Sequence, residues 1–195
     1  RRLKQPDLAI RHFTKLKNTV ETPISLGRAG YWLGRAHSAS GDKASAKIAY
    51  TFAAQHQSSF YGLLAAEKVG IRFDKTLAGR EQFPNWVNAS FTKKSVFSAS
   101  LLLLTAEQPD LAERFFTHLS ESLDPNALGQ LGTLLAELRD PHLQVMVGKR
   151  AAQHGNIIAA PYYALHPLIN TPHPVAAELM LAIARRESEF NPTLV

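Results

Sequence analysis

An all-α fold is predicted, on three observations. Strand signals are almost absent along the 195 residues. Apolar residues recur at helical spacing in short blocks. Pro, Gly, Asn and Asp fall between the blocks, at the places where helices start and stop. Hydrophobic residues make up 45% of the chain, which allows a packed core and argues against disorder.

In chain order, the first block runs from about Pro6 to Lys17. Pro6-Asp7 suits a helix start, and Leu8, Phe13 and Leu16 supply an apolar side. The second, about Pro23 to Ala39, places Leu26, Ala29, Gly30, Leu33 and Ala36 on one face, and Gly41-Asp42 ends it. The third, about Lys43 to His56, offers Ala46, Ala49, Tyr50 and Ala53 as a crossing surface where small residues let two helices approach. Tyr31-Trp32-Leu33-Gly34 through Ala53 is like one tetratricopeptide-type hairpin, present in a single clear copy. Ser58 or Ser59 can cap a fourth helix that Gly70 closes, with Phe60 and Tyr61 as packing residues.

Residues Ile71 to Pro84 read as loop. Short helices then return over about Lys93–Glu107, Pro109–Leu123, Pro125–Leu138 and Pro141–His154, most with a Pro near the start. Leu101, Leu104, Leu111, Phe115, Leu119, Leu128, Leu131, Leu135 and Leu138 are expected to face a common core, and the even spacing suggests stacked hairpins in a solenoid. Gly155 to Thr171, followed by Pro172-His173-Pro174, reads as a connector, so two domains are expected: residues 1–165 and 166–195.

One last helix follows, from about Ala176 to Phe190, with Thr171 or Asn170 as cap and Pro174 in its first turn. Asn191 precedes Pro192, which disfavours continued α backbone. Ala176, Leu179, Met180, Ile183, Glu187 and Phe190 share one face, which puts a carboxylate in line with an apolar stripe. Such a residue is either a half-solvated charge at the stripe edge or a general acid whose pKa desolvation raises. The pattern alone leaves both readings open.

Composition removes several function classes. The chain has no cysteine, which excludes disulfides, thiolate metal sites and a cysteine nucleophile. Its eight histidines contain no paired metal-ligand spacing, so no metal is expected, and no Gly-rich phosphate loop implies a cofactor. The net charge of +6 fits a polyanionic partner. The basic residues are scattered, the tightest groups being Arg1-Arg2-Lys4, Lys15-Lys17, Lys93-Lys94 and Arg185-Arg186, and no nucleic-acid motif accompanies them. No apolar run is long enough to span a bilayer, and Arg1-Arg2-Leu3-Lys4-Gln5-Pro6 leads into no signal-peptide core.

Two motifs are similar to one known family. Ala182-Ile183-Ala184-Arg185-Arg186-Glu187-Ser188-Glu189-Phe190-Asn191-Pro192 resembles the opening catalytic helix of the soluble lytic transglycosylases, "A-I-A-R-Q-E-S-x-F/W-N-P", departing at Arg186. Ser59-Phe60-Tyr61-Gly62-Leu63-Leu64-Ala65-Ala66-Glu67-Lys68-Val69-Gly70 resembles the "S-F-Y-G-x-L-A-A-E-x-L-G" helix of their superhelical domain, and His166-Pro167-Leu168 looks like their "Y-P-L" connector. The resemblance runs from about Gly27 to Val195.

The resemblance implies an α-superhelical scaffold over 1–165 and, from 166, the truncated start of a lysozyme-like domain. It implies a periplasmic enzyme acting on peptidoglycan glycan strands without cofactor or metal. Glu187 would be the single acid/base, with Ser188 hydrogen-bonded near the carboxylate or back to the helix. The family's Gly-Leu-Met-Gln segment is not present, so the resemblance implies a fragment that is inactive alone. The competing class is a non-enzymatic, tetratricopeptide-like interaction scaffold.

Overall fold

The computed structural model describes residues 5–192 and 194, and contains ten α-helices and no strand among them. The basic group Arg1-Arg2-Lys4, together with Thr193 and Val195, lies outside the described residues. The chain divides into two compact units, Arg1–Lys75 and Thr76–Val195. The boundary expected at 165/166 lies inside the second unit, where the C-terminal segment packs.

The first unit holds α1 (Pro6–Lys17), α2 (Pro23–Ser40), α3 (Lys43–Ala53) and α4 (Phe60–Val69). Local chemistry sets their ends. Pro6 and Pro23 sit in first turns, Thr22 and Asp42 accept from the Ser25 and Ser45 amides at 3.4 and 2.9 Å, and Gly41 and Gly70 close α2 and α4 with φ of 87° and 70°. Ser59, not Ser58, caps α4, accepting from the Gly62 amide at 3.1 Å. The α2/α3 crossing uses the residues expected of it: the small Ala29, Ala46, Ala49 and Ala53 are buried with Tyr50, and a Cβ on Gly34 would lie 2.7 Å from the Tyr50 ring.

One expectation for α4 changes, that of Phe60 as a packing residue. Its glycine is there because a Cβ on Gly62 would stand 1.9 Å from the His56 carbonyl oxygen. Phe60 is 68% exposed, since α4 turns its Gly62, Ala65 and Ala66 side inward and leaves Phe60 and Leu63 outside. Tyr61 does pack, its ring 5.4 Å from Tyr31 and 6.1 Å from Trp32. Buried Gln57 ties down the chain leaving α4: its Nε2 donates to the Arg72 carbonyl (3.0 Å) and its Oε1 accepts from the Asp74 amide (2.9 Å).

The second unit holds α5 (Ser95–Thr105), α6 (Pro109–Ser120), α7 (Pro125–Glu137), α8 (Pro141–Gln153), α9 (Ala159–Tyr162) and α10 (Ala177–Glu187). Asp124 and Asp140 cap α7 and α8 at 2.9 Å each. Its main core gathers Phe91, Phe97, Phe116, Leu119, Leu128, Leu131 and Leu135. Leu111, Phe115 and Leu138, expected inside, are about two-fifths exposed. In α6 the inward row is Ala112, Phe116 and Leu119, one residue on from the expected Leu111 and Phe115, because the adjacent phenylalanines let either phase of the helix look apolar.

Two predictions follow from the first unit. Gly62→Ala destabilises the protein by about 1–3 kcal/mol, because the added carbon meets a carbonyl oxygen, whereas Phe60→Ser stays within about 0.5 kcal/mol at its exposed site. Urea unfolding of the two variants separates them. Burial pushes the His56 imidazole below its ordinary value, so the native state binds fewer protons than the unfolded chain. Stability is therefore lost as pH falls through about 6.5 and below. Thermal melts between about pH 7 and pH 5 should show a larger loss for the wild type than for His56→Leu.

Candidate functional site

Helix α10 is shorter than its sequence suggests and starts without a side-chain cap. Ala176 occupies the cap position, so Asn170 and Thr171 do not cap it, and Pro174 precedes the first turn. It ends at Glu187, three residues before Phe190. The chain breaks out of the helix because Glu189 and Phe190 take the left-handed conformation, with φ of 54° and 63°. Neither is glycine, and each costs about 1–2 kcal/mol in that region.

This exit changes which side is buried. Leu181 and Phe190 pack with Val145 and Ala164, flanked by Met180 and Ala184. Leu179 and Ile183, expected to be the buried stripe, are 53% and 55% exposed. Glu187 follows them along the helix and is itself exposed, with no hydrogen bond or ion pair among the described residues. The carboxylate therefore stands in line with an apolar stripe, and both face water. Ser188 Oγ donates to the Ala184 carbonyl at 3.0 Å, so this hydroxyl turns back to the helix.

Several residues hold the exit turn, and of these the motif marks only Phe190. Glu189 is gripped twice. Its carboxylate pairs with Lys149 on α8, and its carbonyl oxygen lies 2.9 Å from His142 Nδ1. The other ring nitrogen of His142 lies 3.1 Å from Glu113 Oε2 on α6. Phe190 inserts beneath the turn, its ring 5.3 Å from His166. His142 thus links α6, α8 and the end of α10. Nothing in the sequence near His142 marks it, since its partners lie 29 and 47 residues away.

Arg185 fixes the other side of the helix. Its Nε and Nη2 donate to the Tyr162 carbonyl at 3.1 and 2.7 Å, and its guanidinium lies 4.9 Å from the Tyr162 ring and 5.5 Å from that of Tyr163. Burial, and then neighbouring Tyr162, push the Tyr163 phenol up to about 12, with Arg185 opposing. Burial, with Arg185 and Arg186 adding, pushes the Lys149 ammonium below its ordinary value, while Glu113 opposes. A cleft of about 410 Å³ adjoins the turn, lined by Glu113, Asp140, His142, His166, Phe190 and Asn191. Glu187 does not line it.

No family model, curated protein or solved structure matches the chain. No described helix is long and apolar enough to cross a membrane.

The packing orders two substitutions that sequence periodicity would rank together. Phe190→Ala removes the turn's buried anchor and costs about 3 kcal/mol. Leu179→Ala, on the solvent side, stays within about 0.5 kcal/mol. Chemical denaturation of both variants checks the order.

Proposed function

We propose that the chain is part of a soluble lytic transglycosylase, with residues 1–165 in an α-superhelical scaffold and 166–195 opening a lysozyme-like catalytic domain. One observation carries this reading. Glu187 ends α10 exposed and unpaired among the described residues, beside the half-exposed Leu179 and Ile183, on a helix held in place by Arg185 and the exit turn. A structural carboxylate would be expected to meet a base. Here three of the bases on or facing this helix end have other directions: Arg185 goes to Tyr162, Lys149 to Glu189, and His142 to Glu113 and the Glu189 carbonyl; the neighbouring Arg186 is exposed.

In this reading the substrate is the glycan strand of peptidoglycan in the periplasm, and the bond cut is the β-1,4 link from N-acetylmuramic acid to N-acetylglucosamine. Protonated Glu187 gives its proton to the bridging oxygen as the C1–O bond breaks. The resulting carboxylate takes the proton of the muramyl C6 hydroxyl, whose oxygen closes on C1. The product is a 1,6-anhydro sugar, and Glu187 ends protonated again. No water, metal or organic cofactor enters the balance. Ordinary glycosidases divide these tasks between two carboxylates. One group serving both needs a pKa near the working pH. Covering Leu179, Ile183 and Glu187 with the remainder of the catalytic domain would supply that by desolvation. In this reading residues 1–195 alone are inactive. A second reading, a non-enzymatic interaction scaffold, draws on the groove described in the next subsection.

The test is to express the whole natural reading frame, digest purified peptidoglycan, and identify the released sugars by mass spectrometry beside Glu187→Gln. Anhydro-muropeptides are expected from the wild type, with release about 10²–10⁴-fold slower in the variant. Equal release by the folded variant removes Glu187 from the chemistry. Reducing-end products make the enzyme a hydrolase.

A further inference from the structure

The first unit carries a feature that the proposed chemistry does not use. Its 75 residues hold 13 Lys and Arg against 5 Asp and Glu, while the second unit has 9 against 11. The whole of the chain's positive excess therefore belongs to the first unit.

On that unit, α1 and α2 enclose an open groove of about 670 Å³. Pro6, Ala9, Phe13, Ala36 and Ala39 give it apolar walls, with Trp32 and Arg35 beside them. Among the described residues, Gln5 is the other polar residue in its lining, and no acidic residue lines it. Arg28, Trp32, Arg35 and Ala39 follow one another at helical spacing along α2, over about 16 Å at 1.5 Å per residue. Both arginines lie over aromatic rings instead of beside carboxylates. Arg28 is 5.8 Å from the Tyr61 ring, and Arg35 is 5.7 Å from the Trp32 ring with its Nη1 donating to the Tyr31 hydroxyl at 3.3 Å. Neither makes an ion pair with a described carboxylate.

The aromatic arrangement also selects among anions. The Trp32 ring is stacked with Phe13 at 6.3 Å and 18°, and Arg35 and Tyr61 lie against it as well. A nucleobase needs an open ring face to stack on, and these faces are engaged. An aliphatic or aromatic side chain needs only an apolar slot, and carboxylates flanking it would meet guanidiniums that hold them bidentately.

We propose that the α1–α2 groove is a binding site for an acidic peptide, which seats an apolar side chain between Pro6, Phe13 and Ala39 and sets a carboxylate on Arg35. The site is independent of the catalytic reading and stands whether or not Glu187 cleaves glycan. Recognition of this type is a helix-pair groove gripping a short segment through one apolar anchor and a charged rim.

The test uses the full 195-residue chain and a fluorescein-labelled peptide, Asp-Glu-Leu-Phe-Asp-Glu-Leu-Leu, read by anisotropy. Its counterpart with Asn and Gln in place of Asp and Glu is run beside it. Binding of the acidic peptide below about 1 mM, weakening as salt is raised, is expected. Arg35→Glu should weaken it about tenfold or more, as should Ala39→Phe, which fills the slot from an exposed position. Circular dichroism confirms that both variants fold. Equal binding of the neutral peptide, unchanged binding in both folded variants, or no binding of the acidic peptide overturns the proposal. So does a single-stranded oligonucleotide that displaces the acidic peptide at equal concentration.

Discussion

The Glu189 carboxylate and carbonyl are held at the same time, by Lys149 and by His142, and this double grip shapes the C-terminal end of the second unit. Two successive non-glycine residues sit in the left-handed region there, at about 1–2 kcal/mol each. Burying Phe190 returns about 1.5–3 kcal/mol, and hydrogen bonds to charged groups contribute about 1.5–3 kcal/mol each. The turn therefore stands because surrounding contacts outweigh its backbone cost. A continuous helix would carry Phe190 out along the Leu179–Ile183 side. The turn instead drops it into the cluster of Val145, Ala164 and Leu181, and Glu187 becomes the last helical residue, at the rim.

The same contacts give α10 a fixed position within its unit. Arg185 binds it to the Tyr162 carbonyl on one side, His142 and Lys149 hold its exit on the other, and Leu181 sits in the core between them. What remains free is one apolar side and the carboxylate at its end. In physical terms α10 is fixed on two sides and exposed along the third.

Much of this fold is legible in the sequence, for identifiable reasons. Pro6, Pro23, Pro109, Pro125 and Pro141 each open a helix, and Gly41 and Gly70 each close one, because their backbone preferences act locally. Gly30 and Ala53 at the α2/α3 crossing are readable because small side chains have one obvious use there. Helix phase is less so: Phe115 and Phe116 are equally apolar, and only tertiary packing selects the second. At the candidate site, Glu187 is singled out by its motif alone, and Ser188's bond to the helix agrees with one of its two expected roles. Glu113, His142 and Lys149 are invisible to periodicity, since their partners are distant in sequence and the left-handed pair follows from their contacts, not from residue type. Phe190 is apolar in either case, and whether it prolongs the stripe or turns under it depends on those same distant groups.

The central claim is that the end of α10 is a fixed mount for Glu187, and amide hydrogen exchange over Ser188–Asn191 tests it most directly. In the structure the Ser188, Glu189 and Asn191 amides donate to the Ala184, Arg185 and Ser188 carbonyls at 3.0, 3.2 and 2.9 Å. The account predicts protection of these amides comparable to that in α8, lost together when His142 is replaced by Phe. Rapid exchange of all three in the wild type, while α8 stays protected, would contradict it: the turn would then be frayed, and Glu187 would have no defined position.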